Sequence, residues 1–481
     1  MAFEFASATE LAEKIRNKEI SSRELTDMYI HRIERLDDGL NAVVVRDFER
    51  AREAADSADR ALAEGRELGS LHGVPMTIKE AYNVEGLATT WGIPQFKDNI
   101  ATQDSETVKR FKAAGAHFLG KTNVPIHLAD FQSYNEIYGT TRNPWNSERT
   151  PGGSSGGSAA ALAAGFSALE SGSDIGGSIR NPAHFCGVYG HKPTWNIVPQ
   201  QGHSLPGMAS TPDIAVVGPL ARSAEDLALS LDIVAGPEPL CSPGWKLDLP
   251  RPTKTKISDY RVALWPTDPM APVALEVSDR VQDLGDRLGE LGATVSDIAR
   301  PALDPSWSHE IYGYMLNGVM ASSLTPDQVA ALEIQAQTLD PNDRSADAIM
   351  CRSSIQKHGE WLRYSNEREK LRMIWRDFFS EWDILICPQM PVAAFEHDHR
   401  PMGQRTLMVD GQSQPYFQQV FWAGLVTVSY LPSTVFPTGP SEEGLPIGLQ
   451  AVGSEYSDYT CIDFARLLAD EIGGFVPPPG Y

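Results

Sequence analysis

RTPGGSSGGSAAALAAGFSALESGSDIGGSIRNPAHFCGVYGHKP, residues Arg149 to Pro193, sets the terms on which the rest of the chain is read. It holds two glycine-serine segments separated by a run of small residues. After Gly152–Ser158 come Ala159, Ala160, Ala161, Leu162, Ala163 and Ala164, strong helix formers without bulk, so Ser154 and Ser155 are expected on a loop at a helix N-terminus. The second segment, Gly172–Arg180, follows the apolar residues Phe166 to Leu169 and reads as another loop. Its glycines leave the backbone N–H groups of Ile175, Gly176, Gly177 and Ser178 unobstructed, and a row of such donors is what a developing oxyanion needs.

GGSSGGSAA, GSDIGGSIRNPA and GHKPT together resemble the amidase signature family of Ser-Ser-Lys hydrolases. In that family the serine of the second segment is the nucleophile, a serine of the first lies on a cis peptide and relays a proton, and an upstream lysine is the base. Position by position, the resemblance implies Ser178, Ser154 and Lys79 in these roles, the lysine standing in Gly73-Val74-Pro75-Met76-Thr77-Ile78-Lys79 as the pattern GVPxxxK requires. It also implies one α/β amidase domain over residues 1–481, a central twisted mixed sheet flanked by helices. The signature core would run over about 65–235, and a variable region over about 300–420 would shape the substrate entrance.

The chemistry these residues must perform sets a physical condition. An amide is a poor electrophile with a poor leaving group, so it needs an activated nucleophile, an acid for the departing nitrogen and donors for the oxyanion. Lys79 can act as base only when neutral. A solvated lysine is neutral at pH 7 about once in 2,500, and lowering its pKa to 7 requires roughly 4.6 kcal/mol of differential interaction. Burial is the expected source. Ser154 would accept the Ser178 proton and donate its own to Lys79. Ser155 is expected to support the site by a hydrogen bond, and Asp174 and Arg180 to brace the loops through ionic hydrogen bonds. Tyr82, Phe131, Gln132, Gly202 and His203 are candidates for the acyl pocket.

Composition narrows the partners. The formal charge of −22 opposes binding to nucleic acid or an anionic membrane surface. No stretch of about 18 apolar residues occurs, and the N-terminal text is acidic and helically spaced where a secretion signal would need a basic start, so a cytoplasmic protein is expected. Five scattered cysteines without a CxxC pair indicate neither a disulfide framework nor a thiolate zinc site. His397-Asp398-His399 reads as a solvated loop, since spacing offers no third metal ligand. A cofactor-independent reaction on a small amide is expected, with a homodimer as the one further partnership considered.

Helical spacing covers residues 7–65, with caps at Ser21 and Ser22. A strand through Leu71–Ile78 delivers Lys79, a helix capped by Asp104-Ser105 ends at Gly115, and a strand over Ala116–Gly120 follows. A second helix-glycine-strand unit lies at Val277–Val295, residues 236–260 read as a crossing loop, 300–380 as irregular helix rich in aromatics, and Ile384–Cys387 as a strand, while the resemblance implies closing strands at Pro432–Pro437 and Leu445–Gly453 and a last helix at Phe464–Ile472. Alternation of this kind argues a sheet covered by helices.

Two rivals to a stand-alone amidase are open at this level. Gly153-Ser154-Ser155-Gly156-Gly157 satisfies GxSxG, which would make Ser155 the nucleophile of an α/β-hydrolase esterase, but that elbow demands a strand just before it and Asn143–Pro151 is none. Some members of the resembled family are glutaminase subunits of tRNA-dependent amidotransferases. After the signature this chain departs from their usual text, reading WNIVPQQGHSLPG from Trp195, and it carries Asn196 where a glycine is commonest. Asn181 stands right after SIR, where members that take a free carboxylate can place an arginine, so a neutral aliphatic amide, anilide or carbamate is the expected substrate.

Overall fold

The structure, a computed structural model, describes residues 3–481. Two helices open it. Ser7 and Ser21 each accept the N–H three residues on, and Glu10 and Glu24 reach back to the cap N–H, so the helices Ala8–Arg16 and Ser22–Leu40 both begin in reciprocal capping boxes. The stretch expected to be helical throughout is interrupted by β1 (Val43–Arg46) before the helix Phe48–Ala63 resumes. Three valines and Arg46 suffice for this short edge strand once a neighbour supplies the ladder, and that neighbour lies roughly 75 residues away, beyond the reach of local periodicity.

β1 pairs antiparallel with β3 (His117–Thr122), which pairs in parallel with β2 (Pro75–Lys79). The parallel pair is joined through the helix Glu106–Ala113, whose N-terminus is capped by Ser105. Every residue of β2 and β3 is buried. The small sheet is tied to the large one by the Thr77 N–H, which donates to Ser167 Oγ at 2.9 Å.

Eight strands form the central sheet. In chain order they are β4 (Glu170–Asp174), β5 (Tyr189–Lys192), β6 (Val216–Ala221), β7 (Arg261–Leu264), β8 (Thr294–Ser296), β9 (Ile384–Pro388), β10 (Ser433–Pro440) and β11 (Pro446–Val452). Across the sheet they run β8-β7-β9-β11-β10-β5-β6-β4. The β8-β7-β9 end is parallel and the remainder antiparallel, so the sheet is mixed. Helices cover it, among them Gly156–Ala163, Ala224–Val234, Leu275–Glu290 and Asp458–Ile472, the fold class expected from the sequence.

One segment differs from its reading in a way that matters for the site. The second glycine-serine segment is not a loop from its start: Glu170, Ser171, Gly172, Ser173 and Asp174 are strand β4, in ladder register with Leu220 to Val216. Gly172 is required there because a Cβ would lie 2.6 Å from Ser155 Oγ. Asn196 has φ +66, the left-handed conformation a glycine adopts freely and asparagine more readily than other side chains, so the substitution keeps the bend.

His191, the second residue of GHKPT, is structural. Its ring bridges Thr434 Oγ1 at 2.9 Å and Asp458 Oδ1 at 3.1 Å, and Asp458 also accepts the N–H and hydroxyl of Thr194. All of these groups are buried, so His191→Ala leaves a buried carboxylate short of a donor. A loss of about 2 kcal/mol in denaturant unfolding is expected, with turnover per folded molecule retained.

Candidate active site

Strand β2 ends in Lys79, and the two glycine-serine segments close over it. Lys79 is 0% exposed, and its Nζ lies 2.7 Å from Ser154 Oγ, 2.9 Å from Ser155 Oγ and 3.0 Å from Ser173 Oγ. Three hydroxyls and no carboxylate are its hydrogen-bond partners. Burial is the dominant influence on the amine and carries its pKa down to about 7, against the opposing pull of Asp174 and Glu170.

Ser154 follows a cis peptide from Gly153 and is 1% exposed. Ser155 is the residue before the helix Gly156–Ala163, and its N–H donates to the Ser178 carbonyl at 3.1 Å, which locks the two segments together. Asn181 makes a second clasp, accepting the Gly153 N–H on Oδ1 at 2.8 Å. The residue that stands after SIR is therefore engaged with the other loop through its carbonyl oxygen.

Ser178 is 8% exposed, and among the described residues its hydroxyl has no hydrogen-bond partner. Lys79 and Ser154 lie deeper, so a molecule entering from solvent meets Ser178 first. The hydroxyl hydrogen bond from Ser178 to Ser154 expected for a relay is not formed in this state. Of the four backbone donors read from the sequence, Ile175, Gly176 and Ser178 have no acceptor among the described residues. Gly177 differs: its N–H is donated to Asp174 Oδ1 at 2.8 Å, because the carboxylate caps the turn that carries Ser178.

Asp174 and Arg180 are both fully buried and paired. Asp174 accepts from the N–H groups of Gly177, Ile179 and Arg180 and from the guanidinium Nε and a terminal nitrogen at 3.0 Å each. Burial alone would raise this carboxyl, but the Arg180 charge and these donors outweigh it and hold the group at about 2. Arg180 reaches on to Gln450, Thr427 and the Ala423 carbonyl.

The five pocket candidates separate. Phe131 stands in an apolar cluster with Tyr312, Met390, Tyr416 and Val420, against which Ile175 also packs. Gly176 faces the same wall, since a Cβ there would lie 3.2 Å from Tyr312 Oη and 3.4 Å from Val420. Tyr82 is fully buried, with its hydroxyl bound to Ser171 Oγ and the Gly172 carbonyl of β4. Gln132 is likewise occupied, exchanging hydrogen bonds with the Asp398 backbone. His203 stacks its edge on Tyr82 and lies against Trp91, and burial pushes it down to about 3, so it is neutral. Gly202 and His203 line a separate cleft of about 450 Å³ formed with residues 200–212. Neither that cleft nor the wider one of about 960 Å³ beside Arg149 and His397 is lined by Lys79, Ser154 or Ser178.

Three residues at the site had no separate sequence signal for their place. Ser173 touches the lysine from β4, where strand alternation, once β4 is known, would put it on the same face as Ser171. Tyr312, from the helix Pro305–Met320, donates its hydroxyl to the Ile175 carbonyl at 3.0 Å and so ties the aromatic-rich region to the turn after β4. Gln389 is 0% exposed with both amide atoms unpartnered, and its Nε2 would lie 2.7 Å from a Cβ on Gly177.

No histidine contacts these serines: His184 is bound to the backbone of Gly448 and Val392, and His191 to Asp458. The segment before Ser155 is coil, so the strand that a nucleophile elbow requires is missing. His399 stacks on Tyr134 and Asp398 pairs with Arg400, and among the described residues no group of three or more His, Cys, Asp or Glu could hold a metal ion. No helix among the described residues is long and apolar enough to cross a membrane.

Comparison with known proteins agrees with this architecture. The amidase family profile matches residues 24–462. A glutamyl-tRNA(Gln) amidotransferase subunit of Alkaliphilus metalliredigens is 31% identical over 484 residues, spanning 96% of this chain and 95% of its own. Indoleacetamide hydrolase of Bradyrhizobium diazoefficiens is 30% identical, spanning 97% of this chain and 86% of its own. A solved bacterial aryl acylamidase of the amidase signature family superimposes with a TM-score of 0.78 at 25% identity, covering 98% of this chain and 96% of that one. The chain belongs to the amidase signature family and is a hydrolase of carbon–nitrogen bonds.

Proposed function

We propose that this chain is a stand-alone amidase that cleaves a small neutral amide, anilide or carbamate through an acyl-Ser178 intermediate. The observation that carries the reading is the buried Lys79 amine among serine hydroxyls, with Ser178 the outermost serine. Ser178 Oγ attacks the carbonyl carbon, its proton passing to Ser154 as the Ser154 proton passes to Lys79. The carbonyl oxygen gathers negative charge opposite the N–H groups of Ile175, Gly176 and Ser178, where fixed donors cost no reorganisation. The proton then returns through Ser154 to the leaving nitrogen, the C–N bond breaks, and an ester to Ser178 remains. Water, deprotonated by the same route, attacks that ester, and the proton returns through Ser154 to Ser178 Oγ as the C–O bond breaks and the carboxylic acid is released.

The apolar side chains of Phe131, Val420 and Ile175 beside the turn of Gly176 favour an acyl or aryl group without charge over an anionic one. Activity against p-nitroanilides, short aliphatic amides, esters and carbamates tests the class. Because an acyl-enzyme must meet a second nucleophile, hydroxylamine is expected to divert part of the flux to hydroxamate. Amide hydrolysis with neither hydroxamate formation nor ester cleavage would point to direct attack by water.

A second reading is favoured by the amidotransferase relatives: a glutaminase subunit that passes ammonia to a partner chain. It requires free glutamine as substrate. Glutamine turnover that outpaces every neutral amide, or that appears only with added partner chains, would install this reading in place of the first. The one-domain organisation over 1–481 and a cytoplasmic location go with either.

A further inference from the structure

Lys79 is surrounded by three serine hydroxyls, and the relay uses one of them. A neutral amine offers two N–H donors and one lone pair; an ammonium offers three donors and none. Three hydroxyl oxygens therefore match the ammonium with every oxygen accepting, and match the amine only if one hydroxyl turns to donate. Ser155 is poorly placed to be that donor. Its hydroxyl is directed at the Ser173 carbonyl, and its oxygen also lies before the Ser173 N–H, each at 3.4 Å. Ser154 and Ser173 remain, and neither hydroxyl has a partner other than Nζ among the described residues.

We propose that Ser173 is a positioning residue that competes with Ser154 for the Lys79 lone pair and holds the ammonium form, and thereby sets the pH at which the base becomes available. With the Ser154 hydroxyl on the lone pair, the relay runs from Ser178 through Ser154 to Lys79. When the Ser173 hydroxyl takes the lone pair, Ser154 accepts from the amine and the relay is blocked. The shorter distance to Ser154, 2.7 Å against 3.0 Å, favours the working arrangement. This inference rests on Lys79 as the base.

The ionisable surroundings of Lys79 are few. Glu170 and Asp174 face it from β4, the first held up at about 8 by burial and so uncharged at pH 7, the second paired with Arg180. His203 faces it from the loop after residue 199 and stays neutral. Lys121 on β3 is buried and turned toward Thr89 and Glu80. The helix Gly156–Ala163 brings no ionisable side chain. Glu170 titrates just above the amine, and Lys192, buried beside Asp174 and brought down to about 7, titrates with it, so the limb is assigned to Lys79 by its shift in variants of Ser173, whose hydroxyl bonds Lys79 and neither of those groups.

The test is the pH dependence of kcat/KM for the wild type, Ser173→Ala and Ser173→Thr on one chromogenic substrate. Removing the Ser173 oxygen takes one acceptor from the ammonium, which favours the neutral amine, so the acidic limb of Ser173→Ala should move down by about one pH unit. Threonine keeps the hydroxyl, and its limb should stay within about two tenths of the wild type. If Ser173→Ala fails to fold, Ser173→Cys keeps the volume with a weaker acceptor and should shift the limb in the same direction. An unmoved limb in these variants while Lys79→Ala is inactive overturns the inference alone, as does an equal shift in Ser173→Thr. A wild type without the limb, together with an active Lys79→Ala, overturns the inference and the reading of Lys79 as base.

Discussion

Ser178→Ala and Lys79→Met are each expected to lower kcat/KM by about four to six orders of magnitude, with circular dichroism and unfolding midpoints showing a folded protein. The two losses should not add, because nucleophile and base act as one unit and the second removal takes away nothing the first has left. Lys79→Met keeps the volume of a fully buried side chain, so its effect reads chemistry rather than a cavity. Ser154→Ala should cost less if a water can carry the proton across. Ser155→Ala should remain active, since Ser155 holds the amine and the loop but does not transfer the proton. The result separates the proposed centre from a Ser155 elbow. Its pH profile would not do so, because a lysine at about 7 titrates almost where a histidine does.

The second large effect is expected at Asp174. This carboxylate receives five hydrogen bonds from the turn between β4 and the helix Arg180–Cys186 and from the buried Arg180. Asp174→Asn removes the charge that balances Arg180 and replaces one acceptor oxygen by an amide NH2 that faces the N–H donors the oxygen satisfied. Breaking a buried pair from one side typically costs about 3–5 kcal/mol. The N–H groups of Gly176 and Ser178 sit on the same turn, so kcat should fall by about two to three orders of magnitude in the molecules that remain folded. Denaturant unfolding and kcat measured on the same preparation separate the two effects. Full activity in a destabilised Asp174→Asn protein would mean that the turn keeps its shape without the carboxylate.

Lys79, Ser154 and Ser178 stand out in the sequence because each lies in a short motif that resembles the amidase signature, and the structure brings Lys79 and Ser154 into contact. The helix-strand pairs are legible because apolar runs bounded by glycine carry their own period, and the closing strands through their resemblance to the family's. β1 is not, because four residues beside a helical run become a strand only through a partner far along the chain. The start of the second segment misleads in the opposite direction: Gly172 and Ser173 have loop composition, yet the ladder with β6 and the approach of Ser155 impose a strand. Donor assignment is also beyond sequence. Gly177 reads like its neighbours, and only the position of the Asp174 carboxylate shows that its N–H is already used.

Pocket residues are the least legible, for the same physical reason. Tyr82, Gln132 and His203 have the size and polarity of lining residues, but whether such a side chain faces substrate or the protein depends on partners such as Ser171 and the Asp398 backbone that no local pattern names. Tyr312 comes from a region without a motif and reaches the turn after β4 through the packing of its helix.

The most direct test of the central claim is intact-mass and peptide-mapping mass spectrometry of enzyme quenched in acid during turnover of an activated p-nitrophenyl ester or carbamate. The expected result is a mass increase equal to one acyl group, mapped to Ser178 and absent in Ser178→Ala. An adduct on Ser155, or rapid turnover of a slow-deacylating carbamate with no adduct on any serine, would contradict the account.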